Sequence, residues 1–332
     1  MKRGMRTLAA IGTAFALVTL GACSSGGGNE GDATTPAGDT TSTAPADGDY
    51  KVAIILKTLT SEFWQSMKTG AEDKAKELGI TLDVYASNSE DDVEGQVSLV
   101  ENAISQGYDA IGVAPISNVN LNNAITQATA AGIYVVNIDE AVDVENLASL
   151  GGAMQAFVTT DNVVVGNMAG TFIVDTIGSG QVAIIEGKAG VQSGEDRKTG
   201  ASQAFETGGL ELVDSQPADW DRTKAFNLAQ NYISKYPDLK AIYCANDTMA
   251  MGAQEAVTNS GKDIVVVGTD GNSDAIESVQ AGGLAATVKQ DSAGVGAKAV
   301  ELLKGLAEAG GAIDPDAEVE QVRAEPILVT KS

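Results

Sequence analysis

From Tyr50 onward, short apolar runs alternate with amphipathic stretches along the chain. Residues 52–56, 81–85, 110–113, 133–138, 182–185, 210–213, 241–244, 264–267 and 285–288 are too short for core helices and read as strands buried on both faces. Between them, helical spacing predicts helices over 93–105, 120–131, 163–177, 223–235, 249–260, 272–281 and 294–306. A further helix follows the first strand, where Phe63, Trp64, Met67, Ala71, Ala75 and Leu78 recur near the helical period. Strand, helix, strand at this spacing implies right-handed crossovers and mostly parallel sheets. There are too many strands for one doubly wound sheet, and the pattern pauses over 143–152. The expected fold is therefore α/β with two lobes.

The first strand-to-helix turn, residues 57–64, organises the chemistry. Thr60 or Ser61 is placed to cap the helix that Glu62 opens. Phe63 and Trp64 point about 100° apart on that helix, so both cannot face the core. One of them should look beyond the carboxyl end of the sheet, where open α/β folds bind ligands. Polar groups recur at the other strand ends: Asp139-Glu140, Glu186, Asn246-Asp247, Asp270 and Gln290-Asp291. Any one of these acids could simply cap a helix. Together with Trp220 in a loop and Arg197 ahead of a helix, they suggest a polar pocket between lobes.

The formal net charge of −24 disfavours nucleic acid and anionic lipid as partners. The chain has no histidine, which excludes the usual catalytic triads and the commonest metal ligand. Two cysteines provide neither a disulfide framework nor a tetrahedral thiolate zinc site. No metal, cofactor or catalytic residue is expected, and the chain is not read as an enzyme. The first turn has no Gly-x-Gly-x-x-Gly pattern, and Gly187-Lys188 lacks the Ser or Thr of a phosphate loop.

The N-terminus is basic through Arg6, and residues 8–20 form an apolar core too short to span a bilayer. With Leu20-Gly21-Ala22-Cys23 it resembles a bacterial secretion signal ending in a lipobox, with residues 1–22 removed and Cys23 lipidated. Residues 23–49 are mostly Gly, Ser, Thr, Ala, Pro and Asp, which predicts a flexible tether to the outer face of the cell membrane. Cys244 lies in an apolar run and is expected to be a small core residue.

From Tyr50 to its end, the chain resembles the periplasmic sugar-binding proteins of the ribose-binding type, most closely the D-allose-binding branch. The residues that carry the resemblance are Lys57-Thr58-Leu59 with Phe63-Trp64, Asn137-Ile138-Asp139-Glu140, Thr159-Thr160-Asp161-Asn162-Val163, Ile185-Glu186-Gly187-Lys188-Ala189-Gly190, Gln216-Pro217-Ala218-Asp219-Trp220-Asp221-Arg222, Tyr243-Cys244-Ala245-Asn246-Asp247-Thr248-Met249 and Gly268-Thr269-Asp270-Gly271. The resemblance implies two Rossmann-like lobes with parallel sheets joined by a three-stranded hinge. One lobe would comprise 50–160 and 291–324, the other 161–290 and 325–332. It implies a monomer that binds one small neutral carbohydrate and delivers it to an ABC permease with its ATPase subunits. Position by position, it puts Phe63 and Trp64 on one face of the ligand and Trp220 on the other. Lys57, Asp139, Glu140, Arg197, Asn246, Asp270 and Gln290 would serve the hydroxyls.

Two departures lie where sugar identity is read. The family usually has Asn-Pro where this chain has Ser61-Glu62, and the loop around Arg197 is longer than in ribose-binding relatives. Loss of the amide at Ser61 points to a smaller or acyclic ligand, such as xylitol or threitol, with aldoses such as allose or ribose also open. Glu62 is expected to favour its own helix N-terminus. Repressors of the lactose type share the fold but carry a helix-turn-helix where this chain has a leader and tether. A sensory or quorum-signal receptor of the same fold is the alternative function.

Overall fold

The computed structural model describes residues 50–331; the leader, the tether and Cys23 lie outside the described residues. In chain order, β1 (Lys51–Leu56), α1 (Glu62–Leu78), β2 (Thr81–Ala86), α2 (Val93–Ser105), β3 (Ala110–Val113), α3 (Asn122–Ala130), β4 (Tyr134–Ile138), α4 (Val144–Ser149) and β5 (Ala156–Thr160) come first. They are followed by α5 (Asn162–Ile177), β6 (Gln181–Glu186), α6 (Gln192–Gly208), β7 (Glu211–Pro217), α7 (Arg222–Lys235), β8 (Leu239–Cys244), α8 (Asp247–Ser260), β9 (Val265–Asp270), α9 (Ser273–Ala281) and β10 (Ala286–Lys289). α10 (Ser292–Ala309), β11 (Glu320–Ala324) and β12 (Ile327–Thr330) complete the order.

The strands form two six-stranded sheets, ordered β11-β5-β4-β3-β1-β2 and β12-β10-β9-β8-β6-β7. Every pairing is parallel except that of β12 with β10. Apolar clusters on the faces of each sheet account for the unbroken hydrophobic runs of the central strands. The chain thus builds two α/β lobes. It passes from the first sheet to the second after β5, returns between β10 and α10, and crosses again between β11 and β12.

Several elements depart from the sequence pattern. The pause over 143–152 holds α4, capped by Asp143 through the Asn146 N–H at 2.9 Å. β5, β11 and β12 emerge in addition to the nine predicted strands. β11 and β12 are largely exposed edge strands, so they carry little apolar signal. α6 gives almost no hydrophobic period because its buried stripe is Ser193, Gly194, Arg197, Gly200, Ala201, Ala204 and Phe205. Arg197 therefore lies within a helix rather than ahead of one. Cys244 is buried, and burial pushes its thiol well above the usual range.

Candidate functional site

Both sheets point the carboxyl ends of their strands at one cavity of about 590 Å³, lined by residues from both lobes. That size suits a small-molecule site. Phe63 and Trp64 reach it from α1, and Trp220 reaches it from the β7–α7 connection. Lys57, Ser61, Asp139, Arg197, Asn246 and Asp270 complete the sequence-derived part of its wall. Glu140 and Gln290 stand behind it, each bonded to a wall residue.

The aromatics are held by specific partners. Trp64 is 3% exposed and packs edge-to-face with Phe63, with centroids 5.0 Å apart and planes at 86°. Its indole N–H donates to Glu90 Oε1 at 3.1 Å, and the Lys57 ammonium lies 5.8 Å from its ring. The Arg197 guanidinium lies 5.9 Å from the Trp220 centroid. Trp220 packs so closely on Gly187 that a Cβ there would overlap the indole. Gly187→Ala is accordingly expected to displace Trp220, seen as a shift of its emission in a Trp64→Phe background that leaves it the sole tryptophan.

Backbone strain gathers at the same place. Among the described residues, the positive-φ residues other than glycine are Asp139 (61°), Asp219 (52°), Trp220 (62°) and Asp270 (118°), and all four line the cavity. Such conformations persist only where the surroundings impose them. At Asp139 the backbone N–H donates to the Val158 carbonyl at 2.8 Å, and the Asp139 carbonyl accepts from Thr159 Oγ1 at 2.8 Å.

The charges form a connected set. Lys57, 3% exposed, pairs at 3.3 Å with Glu140, 1% exposed. Burial pulls the Lys57 ammonium down, but Glu140, Glu90 and Asp139 outweigh it and leave the value raised. Glu140 also accepts the Ser193 hydroxyl at 2.8 Å from the opposite lobe. Asp139 is pushed up to about 7, chiefly by burial, with Lys57 opposing. Asp270 is pushed up to about 6 by burial, opposed by Arg197 and the Gln290 amide.

Arg197 donates through Nε to Asn162 Oδ1 at 2.9 Å, and through Nη1 to the Ala245 carbonyl at 2.7 Å and Asp270 Oδ1 at 3.4 Å. Close approach of α5 to α6 makes this possible, because a Cβ at Gly166 would strike the Arg197 carbonyl and one at Gly200 that of Val163. Gln290 donates to Asp270 Oδ1 at 2.7 Å and so fixes that carboxylate from behind. Asn246 caps α8, accepting the Met249 N–H at 2.9 Å through Oδ1. Its amide NH₂ remains a donor for the cavity.

The first helix turn departs from expectation. Ser61 occupies the N-cap position of α1 but makes no side-chain cap, and the residue borders the cavity. Thr60 does not cap either; it hydrogen-bonds Thr58. The Glu62 carboxylate leaves its own helix end and accepts the Ser273 N–H at 3.0 Å and hydroxyl at 2.7 Å, at the start of α9 in the other lobe.

The cavity is also lined by residues that sequence reasoning did not single out: Ser89, Glu90 and Asp91 after β2, Lys188 and Ser193 after β6, and Lys224 in α7. Glu90 and Asp91 stand at a carboxyl strand end, the signal that found Asp139 and Asp270. Among the described residues, no group of three or more His, Cys, Asp or Glu side chains could hold a metal ion.

The family model described as periplasmic binding protein domain matches residues 52–312. The chain is 48% identical over 284 residues to the D-allose-binding periplasmic protein of Escherichia coli (strain K12), covering 84% of this chain and 91% of that protein. It is 36% identical over 254 residues to the ribose import binding protein RbsB of Bacillus subtilis (strain 168), covering 76% and 80%. Among solved structures, an ABC transporter periplasmic solute-binding protein from Actinobacillus succinogenes 130z with bound D-allose superposes with a TM-score of 0.79 at 34% identity, covering 85% of this chain and 98% of that one.

Proposed function

This chain belongs to the periplasmic binding protein family, and from that premise we propose that it binds one small neutral carbohydrate between its lobes and delivers it to an ABC importer. The observation that carries this reading is the cavity wall, where aromatic side chains from opposite lobes share the lining with carboxylates, an amide and a guanidinium. A sugar lays its C–H groups against aromatic rings and directs its hydroxyls sideways. Those hydroxyls need partners that donate and accept in pairs, and Asp139, Asn246, Arg197 and Asp270 are of that kind.

Phe63 and Trp64 would cover one face of the ligand and Trp220 the other. Glu140 and Gln290, bonded to Lys57 and Asp270, would hold those wall residues in orientation. Contacts made to both lobes at once favour the closed arrangement, and closure is what a permease could recognise. The ligand class is an aldose or sugar alcohol. The named relatives weigh toward an aldose, and the missing amide at Ser61 toward a smaller or acyclic molecule. Lipidation at Cys23 would keep the protein at the outer face of the membrane, where it would work as a monomer beside the permease and its ATPase.

Isothermal titration with D-allose, D-ribose and xylitol is expected to give a dissociation constant in the micromolar range or below for at least one of them. A panel of pentoses, hexoses and sugar alcohols that gave no heat would overturn the carbohydrate reading.

A further inference from the structure

The connection between β2 and α2 grips two things at once. Through its carboxylate, Glu90 accepts the indole N–H of Trp64 at 3.1 Å. Through its backbone carbonyl it accepts Lys188 Nζ at 3.1 Å, and the same ammonium ion-pairs with Asp91. Trp64 and Glu90 belong to one lobe, whereas Lys188 follows β6 in the other. The loop between these grips is tied by local hydrogen bonds. Asp92 caps α2 through the Gly95 N–H at 3.0 Å and holds the Asn88 amide at 2.9 Å, and Ser89 Oγ accepts the Asp91 N–H at 3.3 Å.

We propose that Glu90 is a positioning residue of the cleft: it fixes the Trp64 ring, and Lys188 reaching across from the opposite lobe clamps it on closure. The proposal rests on the carbohydrate reading above. An indole N–H has no acceptor capacity and needs a partner when its ring is buried, and Glu90 is the acceptor it has among the described residues. Without that bond the indole N–H is left unpaired in its packed site, and the ring loses the polar contact that sets its orientation. The Lys188–Asp91 pair is too exposed, with 85% of the Asp91 side chain open to solvent, to drive closure by charge alone. Its contribution is geometric, because it pins the backbone of the residue that holds the aromatic. The ring would therefore be held loosely in the open protein and firmly in the closed one.

The test uses the full chain and Glu90→Ala, Glu90→Gln and Lys188→Ala. D-allose and D-ribose affinities are measured by calorimetry, and Trp64 emission and anisotropy in a Trp220→Phe background. Glu90→Ala is expected to lower Trp64 anisotropy without ligand and to weaken binding about tenfold, with Glu90→Gln, which keeps an acceptor, restoring most of both. Lys188→Ala is expected to leave ligand-free emission unchanged, to weaken binding about three- to tenfold and to speed dissociation. Affinities within twofold of the parent in both alanine variants would overturn the proposal. If the parent binds neither sugar, the carbohydrate reading fails for these ligands. Ligand-free anisotropy then still decides whether Glu90 holds Trp64, and unchanged anisotropy in Glu90→Ala refutes it.

Discussion

Asp139→Asn is expected to weaken D-allose binding by about 10–100-fold at pH 8 and to flatten its dependence on pH, since a charge-assisted hydrogen bond contributes roughly 1.5–3 kcal/mol. Asp139 is buried, lines the cavity and sits among Lys57, Glu140, Arg197 and Asp270. Among the described residues its carboxylate accepts no hydrogen bond from the protein, so its acceptors are open to ligand hydroxyls. Burial lifts its value to about 7 in the ligand-free fold, above the ordinary carboxylate range. Its stabilising contribution is thus full below that ordinary range and is lost as pH rises toward 7. Hydroxyls donating to the carboxylate favour its ionised form, so binding should release a proton and tighten as pH rises through 7. Asp270, at about 6, adds the same trend at the lower end.

Asparagine tolerates the positive φ of 61° at this position and carries no charge to bury. The variant should therefore melt higher than the parent at pH 8 while binding less well. A residue needed only for folding would move both quantities down together. Calorimetry from pH 5.5 to 8 in buffers of different ionisation heat checks both the slope and the proton release. An affinity independent of pH in the parent would refute the assignment.

The lobes were legible because their central strands are buried on both faces and leave unbroken apolar runs. β11 and β12 were not, since they hold exposed residues whose place is set by neighbouring strands, and β5, though buried, ends its short apolar run in Thr159 and Thr160. α6 was lost for a different reason. Its inner face is built of Ser193, Gly194, Arg197 and Gly200, so the helix packs by closeness rather than by bulk. At the site, the rule that strand ends converge brought Asp139, Asn246 and Asp270 into view, and all three line the cavity. Glu90 obeyed the same rule but stood in Ser89-Glu90-Asp91-Asp92, a stretch that reads as a turn and helix cap, and Asp92 does cap α2. The cross-lobe partners of Lys188 and Glu62 are separated from them by 97 and 211 positions along the chain, beyond the reach of any local pattern.

Arg197→Ala is expected to lower the melting temperature by about 10 °C and to abolish measurable carbohydrate binding, because breaking a buried pair costs roughly 3–5 kcal/mol. Arg197 is 4% exposed and ties Asn162 at the start of α5 to the ends of β8 and β9. Its removal takes the donor from Asn162 Oδ1 and from the Ala245 carbonyl and leaves Asp270 with Gln290 alone. Burial already lifts Asp270, and Arg197 is the strongest influence holding it down, so the variant should take up a proton there near neutral pH. Arg197→Lys restores the charge but not the planar fork, so it should recover part of the stability and little of the binding. The decisive comparison is Arg197→Ala with Arg197→Ala/Asp270→Asn. If an uncompensated buried carboxylate is the cause, the double variant melts higher than the single one at pH 8, with the gap closing as the pH falls from neutral toward the ordinary carboxylate range. Equal melting temperatures at both pH values would locate the loss in the Asn162 and Ala245 bonds instead, and Arg197 would then serve chiefly to brace α5 against the ends of the strands.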